Sequence, residues 1–275
     1  MKITDIKGTV TLNNGVEMPY FGLGTWNSAD GDEVKSAVRF ALDAGYKLID
    51  TAAFYRNEKG IGEAIKASGI KREDLFITSK VWNDNQGFES TLKAYDESLR
   101  LLGTDYLDLY LIHWPVTGKF LETWKALEKI YKEGRVRAIG ISNFLPVHLD
   151  KLLPEVEVVP AINQMEFHPH IIQQPLIDQC REAGINYQAW SPIMLGKVFE
   201  IPLFKEIGQK YGKNEAQVVL RWDLQRGVLT IPKSVKEGRI ISNANIFDFE
   251  LSDADMAQIN ALDCNTRFGY DPMLV

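Results

Sequence analysis

The chain has 275 residues, 45% of them hydrophobic and 25% charged. That is an ordinary globular composition, able to bury a large core without disulfides or a structural metal. A formal net charge of -6 argues against a nucleic-acid partner, but not against an anionic cofactor, which a few local Lys and Arg can hold on an acidic protein.

At the start, Thr9–Leu12 and Val16–Met18, joined by Asn13-Asn14-Gly15, predict a β-hairpin with a tight turn. It precedes the first main strand and is expected to close the floor beneath it. Short apolar runs then recur at Phe21–Trp26, Lys47–Ala52, Leu75–Trp82, Tyr106–Trp114, Arg137–Phe144, Pro160–Phe167, Ile185–Trp190 and Val228–Ser234. Most are continuously apolar, as strands buried on both faces are. Helices are predicted between them at Asp32–Ala44, Phe88–Leu102, Phe120–Lys132 and Gln174–Ala183. Each is followed closely by a glycine, which adopts the left-handed stop position cheaply. Eight strands alternating with helices predict an α/β fold, the (β/α)8 TIM barrel.

Near the end, Ser252 followed by Asp253 and Asp255 reads as a helix N-cap with an acidic first turn. The tail Cys264–Val275 reads as a loop over one barrel face. No linker or low-complexity tract interrupts the chain, so residues 1–275 are expected to form one domain. The polar N-terminus and the short, interrupted apolar runs predict neither a secretory signal nor a membrane span. Two cysteines, Cys180 and Cys264, suit a reducing compartment, and a cytoplasmic location is expected. With no coiled-coil pattern, a monomer is expected.

Polar and aromatic residues cluster at the carboxyl ends of the strands: Asp50-Thr51, Lys80-Val81-Trp82, His113-Trp114, Ser142-Asn143, Gln164, Trp190-Ser191 and Lys233-Ser234. In a (β/α)8 barrel these ends meet at one face, where such barrels carry their active sites. Asp50 and Lys80 alone would fit a structural ion pair equally well. Tyr55, just beyond the Asp50 strand, changes the balance. A Lys ammonium near a phenol favours the phenolate and lowers its pKa, making Tyr55 a usable proton donor near neutral pH.

The stretch LIDTAAFYRNEKGIGEAI resembles the signature of the aldo-keto reductase family around its Asp and Tyr. FITSKVW, DLYLIHWP, ISNF, INQMEFHP, AWSP and IPKSVKEGRIISNANIFDFEL resemble further blocks of that family, in its order, from about Gly22 to about Asp263. The short reductases related to diketogluconate and methylglyoxal reductases are the nearest subgroup. The resemblance implies NADPH-dependent reduction of small aldehydes and ketones by a tetrad of Asp50, Tyr55, Lys80 and His113. Tyr55 would protonate the carbonyl oxygen, and His113 would orient it and stabilise its charge.

Gly22-Leu23-Gly24 is only half of a dinucleotide-binding G-x-G-x-x-G, so a Rossmann site is excluded. The resemblance instead assigns Lys233, Ser234 and Arg239 to the 2′-phosphate of NADPH, with Val235 beside them and Asn243 at the adenine. Ser242 stands where the family often has Glu. Trp190 would stack on the nicotinamide, and Ser142, Asn143 and Gln164 would bind its carboxamide. Ser191, Leu195 and Lys197 would lie by the pyrophosphate, and Gly24, Thr25, Trp26 and Asp50 complete the cofactor surroundings. Trp26, Trp82 and Trp114, with Tyr55 and His113, are expected to line the pocket for a small-molecule carbonyl substrate. His168 and His170 do not close a metal site by themselves, and no metal is expected. Two other classes compete: a non-catalytic nucleotide-binding relative, and a lyase forming a Schiff base at Lys80.

Overall fold

The computed structural model describes residues 2–275. The hairpin is present as strands β1 (Thr9–Thr11) and β2 (Glu17–Pro19), paired antiparallel with Val10 opposite Met18. Its turn reaches the amino ends of later strands: Asn13 Nδ2 donates to the Pro160 carbonyl at 2.9 Å and Asn14 Nδ2 to the Arg137 carbonyl at 2.9 Å. Leu12 and Met18 are buried against the core, so the hairpin does close the barrel floor.

Eight parallel strands follow: β3 (Gly22–Gly24), β4 (Leu48–Asp50), β5 (Phe76–Val81), β6 (Leu107–Ile112), β7 (Val136–Ser142), β8 (Ile162–Glu166), β9 (Asn186–Trp190) and β10 (Leu229–Thr230). Each pairs with its chain neighbour. Parallel bridges from Phe21 to Thr230 and from Gly24 to Lys233 join the last strand to the first and close the barrel. All eight lie within the runs read from the sequence, except that β7 begins at Val136, one residue early. β10 is the most shortened, because Pro232 has no N–H to continue its ladder. Every residue of β5 and β6 is buried, as expected of strands covered on both faces.

The helices are α1 (Asp32–Asp43), α2 (Glu58–Ser68), α3 (Phe88–Leu102), α4 (Phe120–Lys132), α5 (Pro146–Leu152), α6 (Gln174–Glu182), α7 (Pro202–Tyr211), α8 (Glu215–Gln225), α9 (Glu237–Ala244) and α10 (Asp253–Asn260). Predicted and observed boundaries agree to within one residue for α1, α3, α4 and α6. Ser252 caps α10 by accepting the Asp255 N–H at 3.2 Å. Helix α2 is hard to read from sequence because it contains Gly60 and Gly62. The structure explains Gly62: a Cβ there would lie 2.3 Å from the Leu102 carbonyl oxygen, so its absence lets α2 pack directly on the end of α3.

Candidate active site

The carboxyl end of β4 delivers Asp50 and that of β5 delivers Lys80, both buried. Lys80 Nζ donates to Asp50 Oδ1 at 2.5 Å and to the Thr51 carbonyl at 2.9 Å. Gln164, on β8 across the barrel, donates to Asp50 Oδ2 and to Gln188 Oε1, each at 2.8 Å. Burial raises the Asp50 carboxyl and lowers the Lys80 ammonium, against their mutual attraction. The pair is thus a desolvated unit aimed into the barrel mouth.

Tyr55 sits on a single 3-10 turn, Ala53–Tyr55, just beyond β4. Its ring centroid is 5.2 Å from Lys80 Nζ and 5.6 Å from the His113 ring. The sequence leads one to expect Lys80 to lower the phenol pKa; the surroundings of Tyr55 act in the opposite direction. Burial, and then the Asp50 charge, push Tyr55 well above its ordinary value. The Lys80 ammonium is bonded to Asp50 and the Thr51 carbonyl and does not offset these two effects at Tyr55. His113 is driven the other way, well below the ordinary histidine value, by burial and by Lys80. It is therefore a neutral imidazole, and its buried Nδ1 has no hydrogen-bond partner.

The Tyr55 turn is held by Asn57, which sequence reasoning did not single out. Asn57 is fully buried. Its Oδ1 accepts from Thr51 Oγ1 at 2.7 Å, and its Nδ2 donates to the Thr25 and Ser28 carbonyls at 3.0 and 3.1 Å. Those carbonyls flank Trp26-Asn27, and the Asn27 carbonyl accepts from Lys233 Nζ at 2.9 Å. One amide thus ties the Tyr55 turn to the β3 loop and to Lys233. A buried Asn in a loop leaves no periodicity to detect, so only its place two residues after Tyr55 could have signalled it.

Trp82 packs edge-on to His113, with centroids 5.2 Å apart, and Trp114 lies 6.5 Å from the same ring. Trp26, 51% exposed, stands at the rim. Of the three tryptophans expected at one mouth, Trp82 and Trp114 are thus gathered around His113, and Trp26 lies in the loop after β3. Phe54, unremarked in the sequence, stacks on Trp82 at 3.8 Å and faces His113. Its position next to Tyr55 was the available clue.

The residues expected around a cofactor form an arc from β7 to α9. Asn143, with φ of 66°, donates from Nδ2 to the His113 carbonyl at 2.9 Å and accepts the Trp190 indole N–H at 2.9 Å. Ser142 Oγ donates to the Gln164 carbonyl at 2.8 Å. Ser191, Met194 and Leu195 all have left-handed backbones, and Ser191 Oγ is buried without a partner. Lys197 is exposed beyond them. Gly24 and Thr25 are buried, and Thr25 Oγ1 donates to the Asp50 carbonyl at 2.8 Å. Ser234 and Asn243 are buried, Val235 is half-buried, and Arg239 is exposed in the first turn of α9. Ser242 turns away from the arc, its Oγ accepting from Asn214 Nδ2 at 3.0 Å. His168 is buried against Glu166, with Nε2 3.2 Å from Oε1.

In barrels of this kind the carboxyl ends of the strands carry the chemistry, and that is where these polar groups gather. Residues 20–263 match the Aldo/keto reductase family, and the chain belongs to it. It is 55% identical over 269 residues to the glyoxal reductase of Bacillus subtilis (strain 168), covering 98% of each chain. It is 43% identical over 267 residues to methylglyoxal reductase DkgA of Salmonella typhimurium, covering 96% of each. A crystal structure of a Gox0644 variant in complex with NADPH superposes with a TM-score of 0.93 at 40% identity, over 97% of this chain and 98% of that one.

Proposed function

We propose that this chain reduces small aldehydes and ketones, vicinal dicarbonyls such as glyoxal and methylglyoxal among them, to alcohols with NADPH, and that Tyr55 gives the proton. The observation that carries this reading is the buried Lys80–Asp50 pair, 2.5 Å apart, set beneath Tyr55 and His113 at a tryptophan-lined mouth. The residues present fit a dinucleotide. Ser191 Oγ is a buried polar atom still lacking a partner. Arg239 is exposed near the amino end of α9, where backbone N–H groups and a guanidinium together suit a phosphate.

When bound, NADPH supplies the hydride. The residues of the chain do the rest. Trp190, fixed by Asn143, offers a flat aromatic face. Ser142, Asn143 and Gln164 surround the site for a carboxamide, and Lys233, Ser234, Val235, Arg239 and Asn243 that for the adenosine 2′-phosphate end. Tyr55 keeps its proton until it is needed, because a raised pKa leaves the phenol fully protonated at working pH. His113, neutral, can present one ring N–H to the carbonyl oxygen and steady the charge that grows there. The Schiff-base alternative is disfavoured, since Lys80 is fully buried and bonded to Asp50.

Residues 1–275 act as one catalytic unit in this reading, and its form is a monomer. Two free thiols, Cys180 and Cys264, support a reducing, cytoplasmic setting. Among the described residues no helix is long and apolar enough to cross a membrane.

The test is NADPH oxidation with methylglyoxal, comparing the parent with Tyr55→Phe. Turnover should fall at least ~10²-fold, the usual worth of a general acid, while NADPH binding by fluorescence stays near parental. Parental turnover in Tyr55→Phe would remove Tyr55 as the donor, and no NADPH consumption by the parent with any carbonyl would end the reading.

A further inference from the structure

Glu166 ends β8 with its carboxylate wholly buried, and the chemistry above makes no use of it. Besides His168, its side-chain partners come from the far end of the chain. Glu166 Oε1 accepts the Phe268 N–H at 2.6 Å and the Gly269 N–H at 3.1 Å, and Arg267 Nη1 lies 3.5 Å from Oε2. Phe268 also stacks on His168, with centroids 5.0 Å apart, and lies 5.5 Å from Lys197 Nζ. Three consecutive tail residues are therefore docked onto one buried carboxylate.

The docking has a consequence at Trp190. A Cβ on Gly269 would sit 2.4 Å from Trp190 Cη2 and 3.2 Å from Cζ3. Its φ lies outside the left-handed region, so the backbone does not demand glycine there; the indole does first, and the Glu166 carboxylate, with Oε2 3.2 Å from such a Cβ, after it. Trp190 is thus confined from two sides. Asn143 holds its N–H end, and the Gly269 backbone abuts its six-membered ring. The contact between Phe268 and Lys197 extends the same restraint to the loop after β9.

We propose that Arg267–Gly269 is a latch, fastened by Glu166, that fixes the Trp190 ring and with it the grip on the cofactor. The inference rests on the reading that Trp190 packs against the nicotinamide. Glu166 and Gly269 are then positioning residues: they act through Trp190, and set how long the cofactor stays.

The experiment is a double-mutant comparison read by stopped-flow release of NADPH. Gly269→Ala should speed release roughly tenfold, equivalent to ~1.4 kcal/mol. In a Trp190→Phe background, which lacks the crowded ring atoms, the same change should do little. Glu166→Gln should also speed release, because an amide cannot balance Arg267. A parallel measurement needs no cofactor. Acrylamide quenching of Trp190, taken as the difference from Trp190→Phe, should rise in Gly269→Ala and Glu166→Gln.

Parental release rates and parental quenching in both variants would overturn the latch. So would an acceleration by Gly269→Ala that is equal in the two backgrounds, since the effect would then bypass Trp190. A loss of thermal stability in both variants with release unchanged would make the tail contact structural only, and overturn it too. If the parent fails to bind NADPH, the proposed function falls, and quenching alone decides the latch.

Discussion

Asp108, near the amino end of β6, and Asp50, at the carboxyl end of β4, are both buried carboxylates, yet their surroundings differ. Asp108 meets Arg72 Nη2 and Arg137 Nη1, each at 2.7 Å, and accepts the Ile77 N–H at 2.9 Å. Both arginines reach partly into solvent, so that cluster stays hydrated at its edge. Asp50 has one Lys, itself fully buried, and one Gln amide. Among the other residues at strand ends on that side, His113 Nδ1 and Ser191 Oγ are buried with no partner. At the floor the carboxylate is matched by two cations, a stabilising arrangement. At the mouth the pair is desolvated and its neighbours are left unsatisfied, which is where perturbed titration and binding are to be expected.

Exchanging each carboxylate for its amide is the hardest strain on that contrast. Asp50→Asn takes from the buried Lys80 ammonium the carboxylate it is bonded to, so turnover should fall by at least ~10-fold. Asp108→Asn should leave turnover unchanged and cost about 2 kcal/mol of stability, the scale of lost charged hydrogen bonds discounted for half-exposed partners. Steady-state kinetics and urea unfolding on both variants decide the matter. If Asp108→Asn loses turnover as Asp50→Asn does, the two ends are not functionally distinct.

Arg239→Ala sharpens the mouth side. A charge-assisted contact to a 2′-phosphate is worth roughly 1.5–3 kcal/mol, so NADPH affinity should fall about tenfold to a hundredfold with NADH affinity nearly unchanged. Dissociation constants for both cofactors at one ionic strength give the answer. Equal weakening of both would detach Arg239 from the 2′-phosphate.

The pH profile should be quieter. Reduction needs Tyr55 protonated and His113 neutral. Tyr55 is pushed above its ordinary 10.0, so its proton is lost only as pH climbs past that value. His113 is pushed below its ordinary 6.5, so it charges only as pH falls beneath that. Between them kcat/KM should be flat, and a limb titrating near neutrality would reassign one of the two groups.

The barrel and the polar groups at its mouth were readable in the sequence because strands buried on both faces are apolar until they reach that mouth. The switch to Asp50, Lys80, His113 and Asn143 therefore marks the strand ends directly. The direction of the Tyr55 shift was not readable. It depends first on how deeply the phenol is buried and then on the Asp50 charge beside it, neither of which any spacing along the chain encodes. Asn57 and Glu166 were missed for a related reason. Each works through backbone groups far away in sequence, Thr25 and Ser28 for one and Phe268 and Gly269 for the other, and backbone groups carry no side-chain signal.

The smallest effect is expected at Ser242, the position that departs from the family's usual Glu. Its neighbour Asn243, proposed for the adenine, is buried, but the Ser242 hydroxyl accepts from Asn214. Asn214 already caps α8 through its Oδ1, which accepts the Gln217 N–H at 3.0 Å. The firmer anchor is the Ser242 carbonyl, which accepts from Gln217 Nε2 at 2.9 Å and survives any side-chain change. Ser242→Ala therefore removes one exposed, neutral hydrogen bond, worth at most about 0.5–1.5 kcal/mol. It leaves both the cap and the carbonyl anchor in place. Thermal unfolding should shift by a few degrees at most, since ~1 kcal/mol moves the midpoint of a domain this size by about 2–4 °C. NADPH and NADH affinities should stay within about twofold of the parent, less than the tenfold that ~1.4 kcal/mol would give. A selective loss of NADPH affinity in Ser242→Ala would mean that the hydroxyl swings into the adenine site, and that α9 is less firmly tied to α8 than its hydrogen bonds imply.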